Sequence, residues 1–330
     1  MKKRLIAMAL ISTMLVTSLV ACGNKGEDKK GGVAGAKYQV GVCQLVQHPA
    51  LDQATKGFKD ALKEKLGDEV DIDEQNAAGD SATCSTICNT FASSNKNLIF
   101  ANATPALVAA TQATDSIPIV GTSITDYATA LQIDDWKGTT GVNVTGTSDL
   151  APLDEQAQMM GELFPDAKKV GILYCSAEAN SVYQSKVVTK ALEKMGMTVK
   201  EYTFADTNDV SSVTTTACDE SDVLYIPTDN TAASCTETIN SVALQKKIPI
   251  IAGEEGICAG CGVATLSIDY YDIGYRAGMM AYEILVNGAD PATMEIEFAK
   301  ELTKKYNADI CQKLGVEIPE DYEAIEVSEE

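Results

Sequence analysis

Apolar and polar positions follow two alternating patterns between residues 38 and 318. Short apolar runs such as YQVGVCQL at 38–45 predict buried strands, whereas apolar residues three or four apart, as in Ala54, Phe58 and Ala61, predict helices. The predicted strands cover 38–45, 70–74, 98–101, 117–121, 169–175, 198–204, 223–227, 249–252 and 262–268. The predicted helices cover 52–66, 81–93, 105–114, 153–164, 180–195, 210–218, 231–245 and 272–286, with Ser81 as the N-cap of the second.

This alternation predicts an α/β fold with two doubly wound lobes of parallel strands. In such sheets ligands bind beyond the carboxyl ends of the strands. The loops at those ends are rich in Asn, Thr, Ser and Asp, and they cover 44–49, 76–80, 102–105, 123–127, 176–181, 228–231, 254–255 and 269–270. They contain no G-x-G-x-x-G after the first strand, and the chain has no G-x-x-x-x-G-K-[ST] and no G-x-S-x-G. The loops therefore indicate neither a nucleotide site nor an α/β-hydrolase.

The first 22 residues have the layout of an export signal. Lys2, Lys3 and Arg4 precede an apolar run over 5–20, and Leu-Val-Ala-Cys at 19–22 resembles the lipobox of bacterial lipoproteins. The resemblance implies that residues 1–21 are removed and that lipids on Cys22 hold the protein at the extracytoplasmic face of the cell membrane. An uncleaved anchor with an incidental cysteine is the alternative. Residues 22–37, rich in Gly and Lys, predict a flexible tether, and 327–330 form a short tail.

The net negative charge of the chain limits the kinds of molecule that it can be expected to bind. The 330 residues include 47 acidic and 26 basic side chains, a net charge of −21, so no basic surface is expected to hold nucleic acid. The chain has one histidine, His48, so a Ser-His-Asp hydrolase or a His-ligated metal enzyme would depend on that residue. The two arginines are Arg4, in the signal segment, and Arg276. We therefore expect hydroxyls and backbone N–H groups, rather than an arginine clamp, to hold any ligand carboxylate.

Nine cysteines remain besides Cys22, and an odd number cannot all pair with one another. We expect most of them to be small, free core residues, although exported proteins can form disulfides. Cys258 and Cys261 form a C-x-x-C in a predicted Gly-rich loop, where a local disulfide is an alternative. Zinc bound with Cys84 and Cys88 would have compatible ligand types, but the two pairs fall in different predicted lobes. The sequence therefore predicts no metal and no cofactor.

Six motifs in chain order resemble a single family. They are HPALDQATKGFKDAL (48–62), QNAAGD (75–80), NATPAL (102–107), SAEANS (176–181), YIPTDNT (225–231) and SIDYYDIGYRAG (267–278). Over residues 38–318 the chain resembles the ABC transporter substrate-binding proteins that include tryptophan and tyrosine transport components. The resemblance implies the type I periplasmic binding protein fold, in which two Rossmann-like lobes joined by three crossovers close on a small molecule. Cys43 and the C-x-x-C after Gly253 depart from the family pattern and affect the finer shape of the pocket.

The resemblance also implies a division of the chain and a set of partners. Lobe one would comprise 38–147 plus 270–297, lobe two 148–269 plus 298–326, and 294–298 would form the third crossover. The protein would be a monomer that binds an amino acid, closes, docks on an ABC permease and releases the ligand. A sensing receptor of the same fold and a receptor for a solute other than an amino acid are alternatives. A thiol-exchange enzyme that uses the C-x-x-C is a third.

An amino acid offers such a cleft a carboxylate, an ammonium group and a side chain. The residues expected to hold the carboxylate are Thr104, Asn180, Ser181 and Thr231. The acids at strand ends that could pair with the ammonium group are Asp126, Asp229, Glu254 and Asp269, with Asp229 favoured. His48 and Asn230 complete the predicted ligand site, with the His48 ring available to stack on an aromatic ligand, and the candidate aromatic walls are Tyr127, Tyr270 and Tyr271. The alternative roles are N-caps for the polar residues, solvated acids, and a structural histidine.

Overall fold

The computed structural model describes residues 35–326. The predicted signal peptide, the lipidated Cys22 and the tail at 327–330 lie outside the described residues. Within residues 35–326, strands and helices alternate along most of the chain, as the apolar pattern predicts. No helix in this range is long and apolar enough to cross a membrane.

Six parallel strands form the first sheet. They are β1 (Tyr38–Gln44), β2 (Val70–Asn76), β3 (Leu98–Asn102), β4 (Ile119–Ile124), β5 (Val144–Ser148) and β11 (Glu297–Phe298). Their order across the sheet is β11-β5-β4-β3-β1-β2. The helices of this first lobe are α1 (Pro49–Leu66), α2 (Ser81–Ser93), α3 (Thr104–Ala113), α4 (Tyr127–Leu131) and α11 (Tyr270–Asn287).

Seven strands form the second sheet. They are β6 (Lys169–Cys175), β7 (Thr198–Phe204), β8 (Val223–Ile226), β9 (Ile250–Ala252), β10 (Ala264–Ser267), β12 (Thr303–Tyr306) and β13 (Glu323–Ala324). Their order is β13-β12-β10-β9-β8-β6-β7, and only the β10–β12 pairing is antiparallel. The helices of this second lobe are α5 (Leu153–Leu163), α6 (Ala179–Lys194), α7 (Val210–Glu220), α8 (Asn230–Ala233), α9 (Thr236–Lys246), α10 (Glu255–Cys261) and α12 (Ala308–Leu314). The chain passes between the sheets three times, after β5, after β10 and after β11.

Helices α1 and α11 pack with their backbones in close approach. A Cβ atom added at Gly57 would lie 2.2 Å from the Tyr271 carbonyl oxygen, and one added at Gly274 would lie 2.0 Å from the Ala54 carbonyl oxygen. Only glycine therefore fits at these crossing points. Because α1 follows the loop after β1 and α11 follows a passage between the lobes, this contact fixes the relative position of both loops.

The structure differs locally from the sequence prediction. The predicted helix over 231–245 is two helices, α8 and α9, interrupted at Ser234 and Cys235. The predicted Gly-rich loop that carries the C-x-x-C is the helix α10, because the Glu254 carboxylate caps its first amides. Asp80 rather than Ser81 caps α2, because its side chain accepts a hydrogen bond from the Thr83 amide. The elements β5, α4, β12, α12 and β13 were not predicted.

All nine described cysteines are free thiols. Eight are buried and Cys235 is half-buried, so most of them behave as small apolar core residues. Cys258 and Cys261 lie on α10 inside the core of the second lobe. Burial raises the pKa of both thiols, and the nearby charge of Glu254 raises it further. The C-x-x-C thiols are therefore protonated and inaccessible, the opposite of what thiol exchange needs.

Candidate functional site

The carboxyl ends of the two sheets face each other, and side chains touch across the gap. His48 Nε2, in the loop after β1, lies 3.3 Å from Asn230 Oδ1 at the start of α8. Gln184 Nε2 on α6 donates a hydrogen bond of 3.3 Å to Thr125 Oγ1 in the loop after β4. These contacts between the first and second lobes close the cleft that the loops form.

Cavities lie along the closed cleft. The largest of the three described here, of about 800 Å³, is lined from both lobes by residues that include Pro49, Glu254 and Tyr270. A second, of about 260 Å³, is lined by residues that include Glu178 and Thr231. A third, smaller depression is lined by Thr104, Asp126, Asn180 and their neighbours. The structure thus brings predicted residues of both lobes together, but distributes them over more than one cavity.

The first-lobe wall presents buried polar atoms that have no partner within residues 35–326. Asn102, at the end of β3, donates through Nδ2 to the Leu51 carbonyl and the Thr55 hydroxyl, which leaves its Oδ1 unpaired. Ser123, near the end of β4, has a backbone φ of +54°, and its buried Oγ is also unpaired. Buried polar atoms in proteins are normally hydrogen-bonded, so these two oxygens indicate a ligand or an ordered water.

Helix α3 begins in this wall at the predicted residue Thr104. The preceding residue, Ala103, has a φ of +89° and supplies no side-chain cap. The first amides of α3 therefore point toward the cleft without the carboxylate or hydroxyl that caps many helices. Helix N-termini attract anions, so this end of α3 suits a ligand carboxylate.

Glu178 organises the second-lobe wall, and sequence reasoning missed it. Its carboxylate accepts hydrogen bonds from the Thr231 amide and hydroxyl, both at 2.8 Å, and from the Asn230 amide at 3.0 Å. It also accepts from the side-chain amides of Asn230 and Asn180, at 2.6 and 3.0 Å. Asn180, Asn230 and Thr231, which are all predicted ligand residues, are therefore linked to one another through Glu178. The buried Oδ1 of Asn180 has no partner among the described residues and is the atom of this network still available to a ligand.

Asp229 and Ser181 are paired within the second lobe. Asp229 accepts hydrogen bonds from the Ser181 hydroxyl at 2.6 Å and from the amides of Cys175 and Ala232, both at 2.7 Å. Burial, followed by the nearby charge of Glu178, raises the pKa of Asp229 to about 7. In this arrangement the Ser181 hydroxyl donates to Asp229, and the Asp229 carboxylate already accepts three hydrogen bonds from the protein itself. Their ligand roles stay predictions that require a ligand to compete with these bonds.

The other predicted acids also cap helices. Asp126 caps α4 through the Thr129 amide, and Asp269, which is exposed, caps α11 through the Asp272 amide. Glu254 caps α10 through the amides of the two residues that follow Glu255, and burial raises its pKa to about 7. A cap and a ligand contact at a strand end use the same residue types, so the sequence pattern cannot separate them.

His48 is buried where the first lobe contacts the second. Its Nε2 faces Asn230, and its Nδ1 has no partner within the described residues. Burial lowers the pKa of His48, so the ring is neutral at pH 7. Of the three candidate aromatic walls, Tyr127 belongs to the first-lobe core instead, whereas Tyr270 and Tyr271 line the largest cavity.

Comparisons with known proteins agree with this geometry. Residues 39–327 match the family described as ABC transporter substrate binding protein. The chain belongs to that family. The substrate-binding protein is 36% identical over 291 residues to the tyrosine-binding protein of Clostridioides difficile strain R20291, covering 86% of this chain and 84% of that one. This membership identifies it as a binding protein and not an enzyme, which overturns the thiol-exchange alternative.

Two solved relatives bear on the state of the cleft. An ABC domain from Streptococcus pneumoniae in complex with L-Trp has a TM-score of 0.82 at 33% identity, covering 86% of this chain and 97% of that one. A ligand-free, open substrate-binding protein with adhesive properties from Clostridium difficile has a TM-score of 0.67 at 35% identity, covering 88% of this chain and 100% of that one. At similar identity the substrate-binding protein is thus more similar to the L-Trp complex than to the open form, as its contacts across the cleft imply.

One further buried acid contacts residues that border the cleft, and sequence reasoning missed it. Asp149 follows β5 directly, where the chain first leaves the first lobe. It is buried, and burial raises its pKa to about 6. Its carboxylate accepts hydrogen bonds from the Tyr270 hydroxyl at 3.0 Å and the Thr125 hydroxyl at 3.4 Å. Sequence reasoning placed the boundary between the lobes just before this residue, between 147 and 148, and no local pattern distinguishes Asp149 from a solvated acid.

Proposed function

We propose that this protein binds a free aromatic amino acid between its lobes and delivers it to the permease of an ABC importer. The observation that carries the proposal is the pair of relatives at 36% and 33% identity, one named as tyrosine-binding and the other solved with L-Trp. The cleft supports the proposal, because buried polar atoms on both lobes, among them Ser123 Oγ and Asn180 Oδ1, have no hydrogen-bond partner within residues 35–326. An amino acid can supply such partners.

The proposal gives the ligand carboxylate to the first lobe. The uncapped N-terminus of α3 at Thr104 and the unpaired Ser123 Oγ offer N–H and O–H donors for an anion. The neutral His48 ring offers an apolar face to an aromatic side chain. The opposite wall of the cleft is proposed to consist of the second-lobe residues predicted from the sequence, namely Asn180, Ser181, Asp229, Asn230, Thr231 and Glu254.

Closure of the cleft is the step that we propose the permease recognises. A ligand that contacts both lobes favours the closed state, because it has more partners there than in the open state. The lobes of this proposal are 38–147 with 270–297, and 148–269 with 298–326. Uptake of labelled ligand by cells that express this protein together with an ABC permease would identify an importer component. Binding of the ligand without uptake would indicate a sensing receptor.

A ligand panel tests the proposal. We expect tryptophan, tyrosine and phenylalanine to raise the melting temperature more than leucine, since a ligand at about 100 times its dissociation constant adds about 2.7 kcal/mol to folding stability. Calorimetry with the same amino acids gives the affinities. Binding of a sugar or a nucleoside, with no heat from any amino acid, would overturn the ligand class and leave the family membership intact.

We also propose that the protein is lipid-anchored through Cys22. The proposal rests on the charged start, the apolar run and the Leu-Val-Ala-Cys sequence at 19–22. Replacing Cys22→Ala in the full chain should release the protein from the membrane fraction or leave it unprocessed. Normal processing with unchanged membrane retention would contradict the anchor.

A further inference from the structure

Four buried acids lie in or beside the cleft, and none of them has a basic partner among residues 35–326. Asp149, Glu178, Asp229 and Glu254 are each less than 5% exposed. None of the salt bridges formed by residues 35–326 includes any of these four carboxylates. Buried charges need partners, so each carboxylate must be compensated by hydrogen bonds, by a proton or by a cation from outside.

Three of the four accept hydrogen bonds mainly from backbone and side-chain amides of other residues. Glu178 accepts five hydrogen bonds and Asp229 accepts three. Glu254 accepts two from the first amides of α10. Asp149 differs, because beyond its own backbone amide it is held by two hydroxyls, one of them at the long distance of 3.4 Å. No amide of another residue holds Asp149, and hydroxyl donors can rotate toward another acceptor, so of the four acids Asp149 can most readily exchange a donor for a ligand group.

The position of Asp149 is suitable for a ligand that both lobes enclose. Thr125, which donates to Asp149, also accepts the hydrogen bond from Gln184 that crosses the cleft. Tyr270, its other donor, lines the largest cavity. The charge of Asp149 also contributes to raising the pKa of Glu254, so the two buried acids lie near enough to repel each other.

We propose that Asp149 pairs with the ammonium group of the bound amino acid, while Tyr270 and Thr125 hold its carboxylate in place. The inference rests on the proposed function and assigns to Asp149 the role that the sequence pattern gave to Asp229. It predicts that the site selects ligands with a primary ammonium group and discriminates against analogues that lack one.

The test compares Asp149→Asn with wild type in calorimetry against two pairs of ligands. Tryptophan is paired with indole-3-propionate, and tyrosine with 3-(4-hydroxyphenyl)propionate, which lack only the ammonium group. Wild type should bind each amino acid far more tightly than its partner. In Asp149→Asn the affinity for the amino acid should fall about 30-fold or more, and that for the analogue should change little.

Asp229→Asn is the matched control, since it neutralises the rival acid. It should affect both members of a pair alike, because it disorders the loop before α8 rather than removing the ammonium partner. An unchanged discrimination ratio in Asp149→Asn, or a collapse of that ratio in Asp229→Asn instead, would overturn the inference. If wild type binds no amino acid, the proposed function fails by itself, which the wild-type titrations show before any variant is used.

A second variant covers the possibility that Asp149→Asn does not fold. Tyr270→Phe removes the stronger hydroxyl donor and leaves the acid in place. The carboxylate is then less well positioned, so the discrimination ratio should fall several-fold while the affinity for the analogues stays constant. A Tyr270→Phe protein that melts like wild type and keeps the full ratio would also overturn the inference.

Discussion

Replacing Gly274→Ala should destabilise the first lobe, although alanine is the better helix former. The new Cβ would lie 2.0 Å from the Ala54 carbonyl oxygen on the neighbouring helix, so α1 and α11 would have to separate by more than 1 Å to restore ordinary contact. Overpacking of this kind costs about 1–3 kcal/mol, against about 1 kcal/mol gained in helix propensity. The clashing atom is backbone and cannot rotate away, so we expect a net loss of about 1–2 kcal/mol.

Gly161→Ala provides the matched control for this prediction. Gly161 also lies inside a helix, but the nearest atom to its added Cβ is the terminal methyl of Met195, at 2.5 Å. Met195 is flexible and largely exposed, so it can move aside, and the propensity gain should leave this variant as stable as wild type or more so. Urea unfolding of both variants measures the difference. If Gly274→Ala is as stable as Gly161→Ala, backbone contact does not limit the α1–α11 packing.

Two further predictions concern the buried titratable groups and the ligand. The pKa values of Asp149, Asp229 and Glu254 are raised to about 6, 7 and 7, so between about pH 4 and 7 the folded protein binds more protons than the unfolded chain. Its unfolding free energy should therefore fall as pH rises from about 5 to 7, opposed by His48, whose pKa is lowered, whereas exposed carboxylates with lowered pKa values, such as Glu220 and Asp222, oppose it only at lower pH. If the unfolding free energy measured with urea stays constant or rises between about pH 5 and 7, this prediction is wrong. His48→Ala should weaken tryptophan and tyrosine more than leucine in calorimetry; equal losses would mean that the ring only orders its loop.

The sequence was sufficient to predict the layers of the fold, because each strand and helix is encoded in its own apolar spacing. The break between α8 and α9 could not be predicted, since Ser234 and Cys235 carry no glycine or proline signal. The helix α10 was hidden for the opposite reason. Its glycines suggested a loop, whereas the Glu254 cap and the burial of Cys258 and Cys261 fix it as a helix.

The site was predictable as a set of loops but not as a set of contacts. Strand ends predicted that Thr104, Asn180 and Asp229 lie at the carboxyl edges of the sheets, because parallel strands share one carboxyl edge. Which acid is saturated and which is free depends on donors far away in sequence. Glu178 is bonded by residues more than 50 positions later, and Asp149 by a tyrosine 121 positions later. Such pairings exist only in the folded chain.

The buried cysteines allow partial unfolding of the protein to be measured through the reactivity of its own thiols. Cys43, Cys84 and Cys88 lie in the first-lobe core, whereas Cys218, Cys258, Cys261 and Cys311 lie in the second. A thiol reagent that reacts only with exposed sulfur can reach each of them only when the surrounding structure opens. The rate of modification at each position therefore measures the free energy of opening of one lobe, without any introduced label. Equal rates in both lobes would identify a single cooperative unit, and unequal rates would show which lobe opens first.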